Sequence, residues 1–192
     1  MPRTNQTKDL LAESLQELMI ATPLEKISVN DIVDHAGVGR NTFYYHFEDK
    51  YDLVNWYFQT GIMRFLVAKA EYGSWQSLLS GIEEYFREHH VFYNNALRYK
   101  GQNCLQDYMY QFLLAVFKQR LSELRPTMNA DDLSFSGNFL TGALLGILLS
   151  WVENGMKDDV STHYACLREL FRGDLLQLLL DSNPELSTMP SD

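Results

Sequence analysis

Apolar residues in the first third of the chain recur at helical spacing. Leu11, Leu15, Leu18 and Met19 place one apolar stripe on a helix that runs from about Lys8 to the Thr22-Pro23 break. Ser28 stands three residues before Asp31, the pattern of an N-cap whose acidic residue reaches back, and predicts a short second helix ending near Ala36. Gly37 supplies a position that accepts positive φ, and after two further residues the polar-aromatic run Arg40-Asn41-Thr42-Phe43-Tyr44-Tyr45-His46-Phe47 begins. Two helices joined so tightly form a helix-turn-helix. Beyond Lys50, residues Leu53, Val54, Tyr57, Phe58, Ile62, Phe65 and Leu66 keep helical period for about five turns. After Gly73-Ser74 the same periodicity predicts four more helices, near Trp75–Phe92, Asn103–Leu124, Asp131–Glu153 and Val160–Leu180. No strand-like alternation and no internal repeat interrupts this pattern, and the polar tail Ser182–Asp192 is expected to fray. An all-α fold follows, with a three-helix unit over residues 1–50 and a helical bundle over residues 51–192.

Composition narrows the class. With 46% hydrophobic and 21% charged residues and five prolines, the chain has the profile of a globular domain and lacks that of a disordered segment. Cys104 and Cys166 lie far apart with no partner at a metal-like spacing, which reads as two buried thiols in a reducing compartment and no metal site. His89 and His90 point about 100° apart on a helix, and are expected to be surface histidines. The N-terminus has no apolar signal core, and no stretch is expected to reach the roughly 18 uncharged apolar residues that a membrane helix needs, so a cytoplasmic protein without a membrane partner is expected. No nucleophile-base pair, phosphate loop or cofactor motif is present, which points away from an enzyme and from any cofactor.

Charge complicates the picture. The chain carries a net −9, and residues 1–60 hold five Lys or Arg against nine Asp or Glu. A nucleic-acid surface must therefore be a local patch. On a helix, Phe43 and Phe47 share one face, while Arg40, Asn41, Tyr44 and Tyr45 point largely away from it, flanked by Thr42 and His46. Arg pairs with guanine O6 and N7, Asn with adenine, and Thr, Tyr, His and Lys reach phosphates. Composition alone leaves two readings open, a DNA-reading surface and the solvated face of an ordinary helical hairpin.

The run from Ile32 to Leu53, IVDHAGVGRNTFYYHFEDKYDL, resembles the DNA-binding signature of the TetR family of bacterial regulators. Ala36-Gly37-Val38 matches the family's turn, and Thr42, Tyr45 and Phe47 occupy its hydroxyl and aromatic positions. Lys50 and Leu53 open its connecting helix. By that resemblance residues 1–50 form a helix-turn-helix DNA-binding domain, and residues 51–192 form an effector-binding and dimerisation domain. Arg40, Asn41 and Tyr44 become the expected base contacts; Ser28, Thr42, Tyr45, His46 and Lys50 the expected phosphate contacts; Asn30 also faces DNA. Gly39 belongs to the same surface and departs from the family, since many relatives have a polar cap there. Such a loss costs a few tenths of a kcal/mol.

The regulatory half is less explicit. Phe135–Trp151 is apolar on several sides, with Gly137, Gly142, Ala143 and Gly146 between large residues, and Leu167–Leu179 repeats at helical spacing. The resemblance implies a homodimer through a four-helix bundle, for which Leu140, Leu144, Leu148, Phe171, Leu175 and Leu178 are the expected seam; the alternative is that both helices are internal core. Tyr85, Phe86, Tyr108, Phe112 and Phe139 are the expected lining of an effector pocket. The implied partners are double-stranded operator DNA, a second copy of the chain and a small-molecule effector, in a repressor released by its ligand. The Trp151-Val152-Glu153-Asn154-Gly155 helix end is similar to regulators of dihydroxyacetone utilisation that answer to a protein partner, which implies an activator instead. A helical interaction module without DNA binding is the remaining alternative.

Overall fold

The computed structural model describes residues 2–68 and 75–158. These residues form eight α-helices and no strand: α1 (Pro2–Ala21), α2 (Val29–Ala36), α3 (Arg40–His46), α4 (Lys50–Ala68), α5 (Trp75–Glu88), α6 (His90–Ala96), α7 (Leu105–Leu124) and α8 (Ala130–Glu153). The last helix expected from sequence, near Val160–Leu180, lies outside the described residues, as does Cys166.

Local chemistry sets the first three helices. Leu11, Leu15 and Met19 of α1 are buried against Ile32 and Val33 of α2 and Phe43 of α3. Ser14 is buried among them and donates its hydroxyl to the Ile32 carbonyl at 2.8 Å, satisfying both groups where water is excluded. A single 3₁₀ turn, Leu24–Lys26, links α1 to α2, an element the periodicity did not reveal. The capping box predicted at Ser28 and Asp31 is formed. Gly37 ends α2 at φ 67°, a left-handed conformation that glycine adopts without steric penalty. Its successor Val38 donates to the Val33 carbonyl at 3.0 Å, which turns the chain sharply into α3.

Helix α4 joins this unit to the second core, burying Leu53 and Val54 at its start and Phe58 and Ile62 further along. The predicted helix over 75–92 breaks at His89, so α5 and α6 are separate. This break lets Phe92 and Tyr93 turn inward, where Tyr93 is fully buried and stacks on Phe86 with ring centroids 4.0 Å apart. Among the described residues, helices α7 and α8 form the most extensive helix pair. Gly137 permits their approach: a Cβ there would press on Lys118 Cγ at 3.0 Å and Leu114 Cδ1 at 3.2 Å. Contrary to the sequence expectation, α8 is long and apolar enough by length and composition to cross a membrane. In this fold its apolar inner face, including Leu145 and Trp151, packs into the core.

Candidate nucleic-acid interface

Phe43, fully buried, and Phe47, almost so, anchor α3 to the core with their rings 5.8 Å apart. That anchorage turns the opposite face outward. Arg40, Asn41, Tyr44 and Tyr45 are exposed, Tyr45 at 80%, while Thr42 and His46 are half-buried at the flanks. The Arg40 guanidinium lies 5.5 Å from the Tyr44 ring centroid, and its Nη2 donates to the Tyr44 hydroxyl at 3.3 Å. The pair is one helical turn apart, so each restrains the other and loses less freedom when it engages a base. Asn30 is exposed on α2, and Gly39 is the N-cap of α3 without a side-chain bond. Its backbone is ordinary extended chain, and a Cβ would meet only Thr42 Oγ1 at 3.9 Å.

No acid lies on α3, and two acids near it in the chain, Asp31 and Asp49, are engaged as helix caps. Asp31 Oδ2 accepts from the Ser28 N–H and hydroxyl, both at 2.7 Å, which holds its carboxyl below the usual range. Asp49 Oδ1 accepts from the Tyr51 and Asp52 N–H groups at 2.7 and 2.8 Å, capping α4. Asp52 accepts from the Glu48 N–H, and Asp9 pairs with Arg64. The acidity of the N-terminal unit thus coexists with an acid-free reading face.

Two expected phosphate contacts are engaged within the protein in this geometry. Ser28 gives both of its donors, N–H and hydroxyl, to Asp31. Lys50 donates to the carbonyls of Leu24 at 2.7 Å, Glu25 at 3.0 Å and Ile27 at 2.6 Å, which uses all three ammonium protons. Burial draws its pKa down, opposed by the Glu25, Asp49 and Asp31 carboxylates. Lys50 therefore ties α4 to the turn before α2. A cation that the sequence did not single out lies against the aromatic core beside α3: Lys8 Nζ sits 5.0 Å from the Phe47 centroid and 5.5 Å from Trp56. No spacing marks it, because the rings that hold it are about forty residues away in the chain. Partial burial and the Lys8 charge lower the pKa of His46, whose ring meets Tyr45 edge-on at 4.9 Å.

In the second core, a cavity of about 120 Å³ opens between α4, α5, α7 and α8. Phe58, Phe86, Met109, Phe112, Leu113 and Trp151 are among its walls, together with Val116 and Ile147. Of the expected pocket residues, Phe86 and Phe112 line it, whereas Tyr85, Tyr108 and Phe139 do not. Tyr85 instead packs 5.3 Å from Phe65 and 4.7 Å from His89, and Tyr108 donates to Gln59 Oε1 at 2.9 Å. His89 is half-buried and lies 3.2 Å from the Tyr57 hydroxyl, so it is no surface histidine; burial lowers its pKa. Leu144 and Leu148, expected at a dimer seam, form cavity wall, and Leu140 is half-buried. The outward face of α8 carries Phe135 at 75% exposure, Phe139 at 52%, Ala143 and Ile147, with open space at Gly142 and Gly146. Phe171, Leu175 and Leu178 lie outside the described residues.

An anchored, acid-free third helix after a glycine turn, joined by α4 to a helical bundle, defines a helix-turn-helix protein of the bacterial regulatory type. Residues 13–56 match the family model of bacterial regulatory proteins, tetR family, and residues 73–173 match a transcriptional regulator C-terminal region of the same family; the chain belongs to the TetR family. It is 30% identical over 87 residues to DhaS of Lactococcus lactis subsp. lactis strain IL1403, an HTH-type dhaKLM operon transcriptional activator. That match spans 45% of this chain and 46% of the relative, less than half of its length. The solved structure of a dihydroxyacetone kinase operon activator DhaS superposes with a TM-score of 0.57 at 21% identity, covering 85% of this chain and 93% of the other. NalD, the secondary repressor of the MexAB-OprM multidrug efflux pump in Pseudomonas aeruginosa, gives 0.59 at 17% identity, covering 90% and 98%. The fatty acid degradation regulator FadR from Bacillus halodurans gives 0.58 at 16% identity, covering 88% and 95%. At these identities the three structures establish the shared fold.

Proposed function

We propose that the chain is a homodimeric, cytoplasmic transcription regulator whose residues 1–50 bind operator DNA and whose residues 51–192 dimerise and take an effector. The observation that carries this reading is α3 itself, which is buried through Phe43 and Phe47 and exposes Arg40, Asn41, Tyr44 and Tyr45 on a face without acids. Arg40, Asn41 and Tyr44 read base edges, and Tyr45, Thr42 and His46 position the helix against phosphates. Asn30 borders the groove, and Gly39 keeps the entrance to α3 open for close approach. Two copies place their α3 helices in successive major grooves, with half-sites about one helical turn or slightly more apart. The outward face of α8, through Phe135, Phe139 and Ala143, forms the seam between copies.

The cavity, apolar apart from the buried Glu83 in its wall, takes a small effector. Its volume is of the same order as the roughly 150 Å³ engineered cavity that binds benzene. An effector that binds one arrangement of the α3 helices better shifts operator affinity by its differential binding energy, about 1–3 kcal/mol. A repressor released by such a ligand is the first reading. The likeness to an operon activator over 87 residues favours a second, in which the same protein activates in response to a partner. Selection from random duplex DNA by the purified protein tests the function. An enriched palindrome bound by a dimer supports the regulator, and no enrichment at low salt refutes it.

A further inference from the structure

The C-terminal end of α1 leaves carbonyls that its own helix does not satisfy. They are met from the regulatory half. Asn95, half-buried on the seven-residue helix α6, donates Nδ2 to the carbonyls of Met19 at 3.0 Å and Thr22 at 2.9 Å, and its Oδ1 accepts the Leu24 N–H at 2.8 Å. One side chain thus caps α1 and fastens the 3₁₀ turn from 71 to 76 residues away. Leu24 is the shared node. Its N–H goes to Asn95, its carbonyl receives the Lys50 ammonium, and its side chain is 1% exposed. Two residues before Asn95, Tyr93 stacks on Phe86, which is part of the cavity wall.

We infer that Asn95 is the positioning residue that sets the angle of the DNA-reading unit on the regulatory bundle, and thereby the half-site spacing that a dimer accepts. The inference rests on the operator-binding reading above. Any rotation of α6 against α1 must break directional bonds to three backbone groups, and an amide has no second arrangement that satisfies two carbonyls and one N–H at once. Motion at the cavity wall reaches the same clasp through Phe86 and Tyr93.

Asn95→Asp and Asn95→Ala in the full-length protein test this. Aspartate keeps the volume and one acceptor but sets a carboxylate against two carbonyl oxygens, so a clasp is damaged more by Asp than by Ala. Hydrogen exchange over residues 19–27 is expected to rise about tenfold or more, with residues 29–36 unchanged. The palindrome enriched by the wild type, rebuilt with its half-sites one or two base pairs closer or further apart, reads the spacing. A wild-type preference of about tenfold or more is expected to shrink to about threefold or less in both variants. General destabilisation lowers affinity equally at every spacing. Wild-type exchange and spacing profiles in Asn95→Asp show that the residue only fills space, and overturn the inference. If the wild type enriches no duplex, the operator reading fails, and unchanged exchange over 19–27 still overturns the clasp.

Discussion

Replacing Lys50 with methionine keeps most of the aliphatic stem and removes the ammonium, so it separates a structural role from a DNA-contacting one. Three carbonyls lose the ammonium: those of Leu24 and Ile27 are partly buried and that of Glu25 is exposed. Water replaces the donor at Glu25 at little cost. The Leu24 carbonyl keeps the Ile27 N–H at 3.2 Å, so its loss is about 0.5 kcal/mol, whereas the Ile27 carbonyl becomes a poorly solvated acceptor at about 1–1.5 kcal/mol. A loss of about 1.5–2 kcal/mol follows, equivalent to a fall of roughly 3–8 °C in midpoint for a chain of this size. Thermal and urea unfolding measure it, alongside operator titration at several salt concentrations. The slope of log affinity against log salt is expected to stay at the wild-type value, because the ammonium neutralises no phosphate. An unchanged midpoint together with a slope reduced by about one unit would refute the reasoning and return Lys50 to the phosphate contacts.

Arg40→Glu reverses the charge on an exposed residue and is expected to abolish specific operator binding while leaving the unfolding midpoint unchanged; retained binding removes Arg40 from the reading face. Lys8→Gln is expected to lower the salt slope by about one unit, an effect seen equally on selected and random duplexes. Ala143→Arg sets a long cation on the open face of α8, and light scattering should then report a monomer where the wild type is a dimer; an intact dimer moves the seam elsewhere. In the folded chain burial holds the pKa values of His46 and His89 below the ordinary histidine value of about 6.5. The unfolded chain therefore binds more protons, and the stability present above pH 6.5 is lost as pH falls through the lowered values. Urea unfolding between about pH 5 and pH 7 should show this decline, and His89→Gln should flatten it; an unchanged pH profile in that variant excludes His89.

Much of the N-terminal unit was legible because its determinants are local. The Ser28-Asp31 box, the left-handed Gly37 and the Phe43-Phe47 stripe each depend on residues within a turn or two, so capping chemistry and helical period identify them without tertiary information. The period also separated the exposed Arg40, Asn41, Tyr44 and Tyr45 from the buried phenylalanines. Helix α8 resisted the same treatment. Leucines and small residues surround it on every side, so no stripe announced that Leu144 and Leu148 face the cavity while Phe139 faces outward. Packing against α7 decided that rotation. Contacts across long stretches of chain decided the rest: Lys50 was drawn onto carbonyls 23 to 26 residues before it, and Asn95 onto groups more than 70 residues away. Sequence by itself determined the helix-turn-helix of the N-terminal unit and which face of α3 is polar, since those follow from periodicity and capping. Only the tertiary structure decided which cations remain free for DNA, because a lysine or an amide carries no local sign of the backbone group that will claim it.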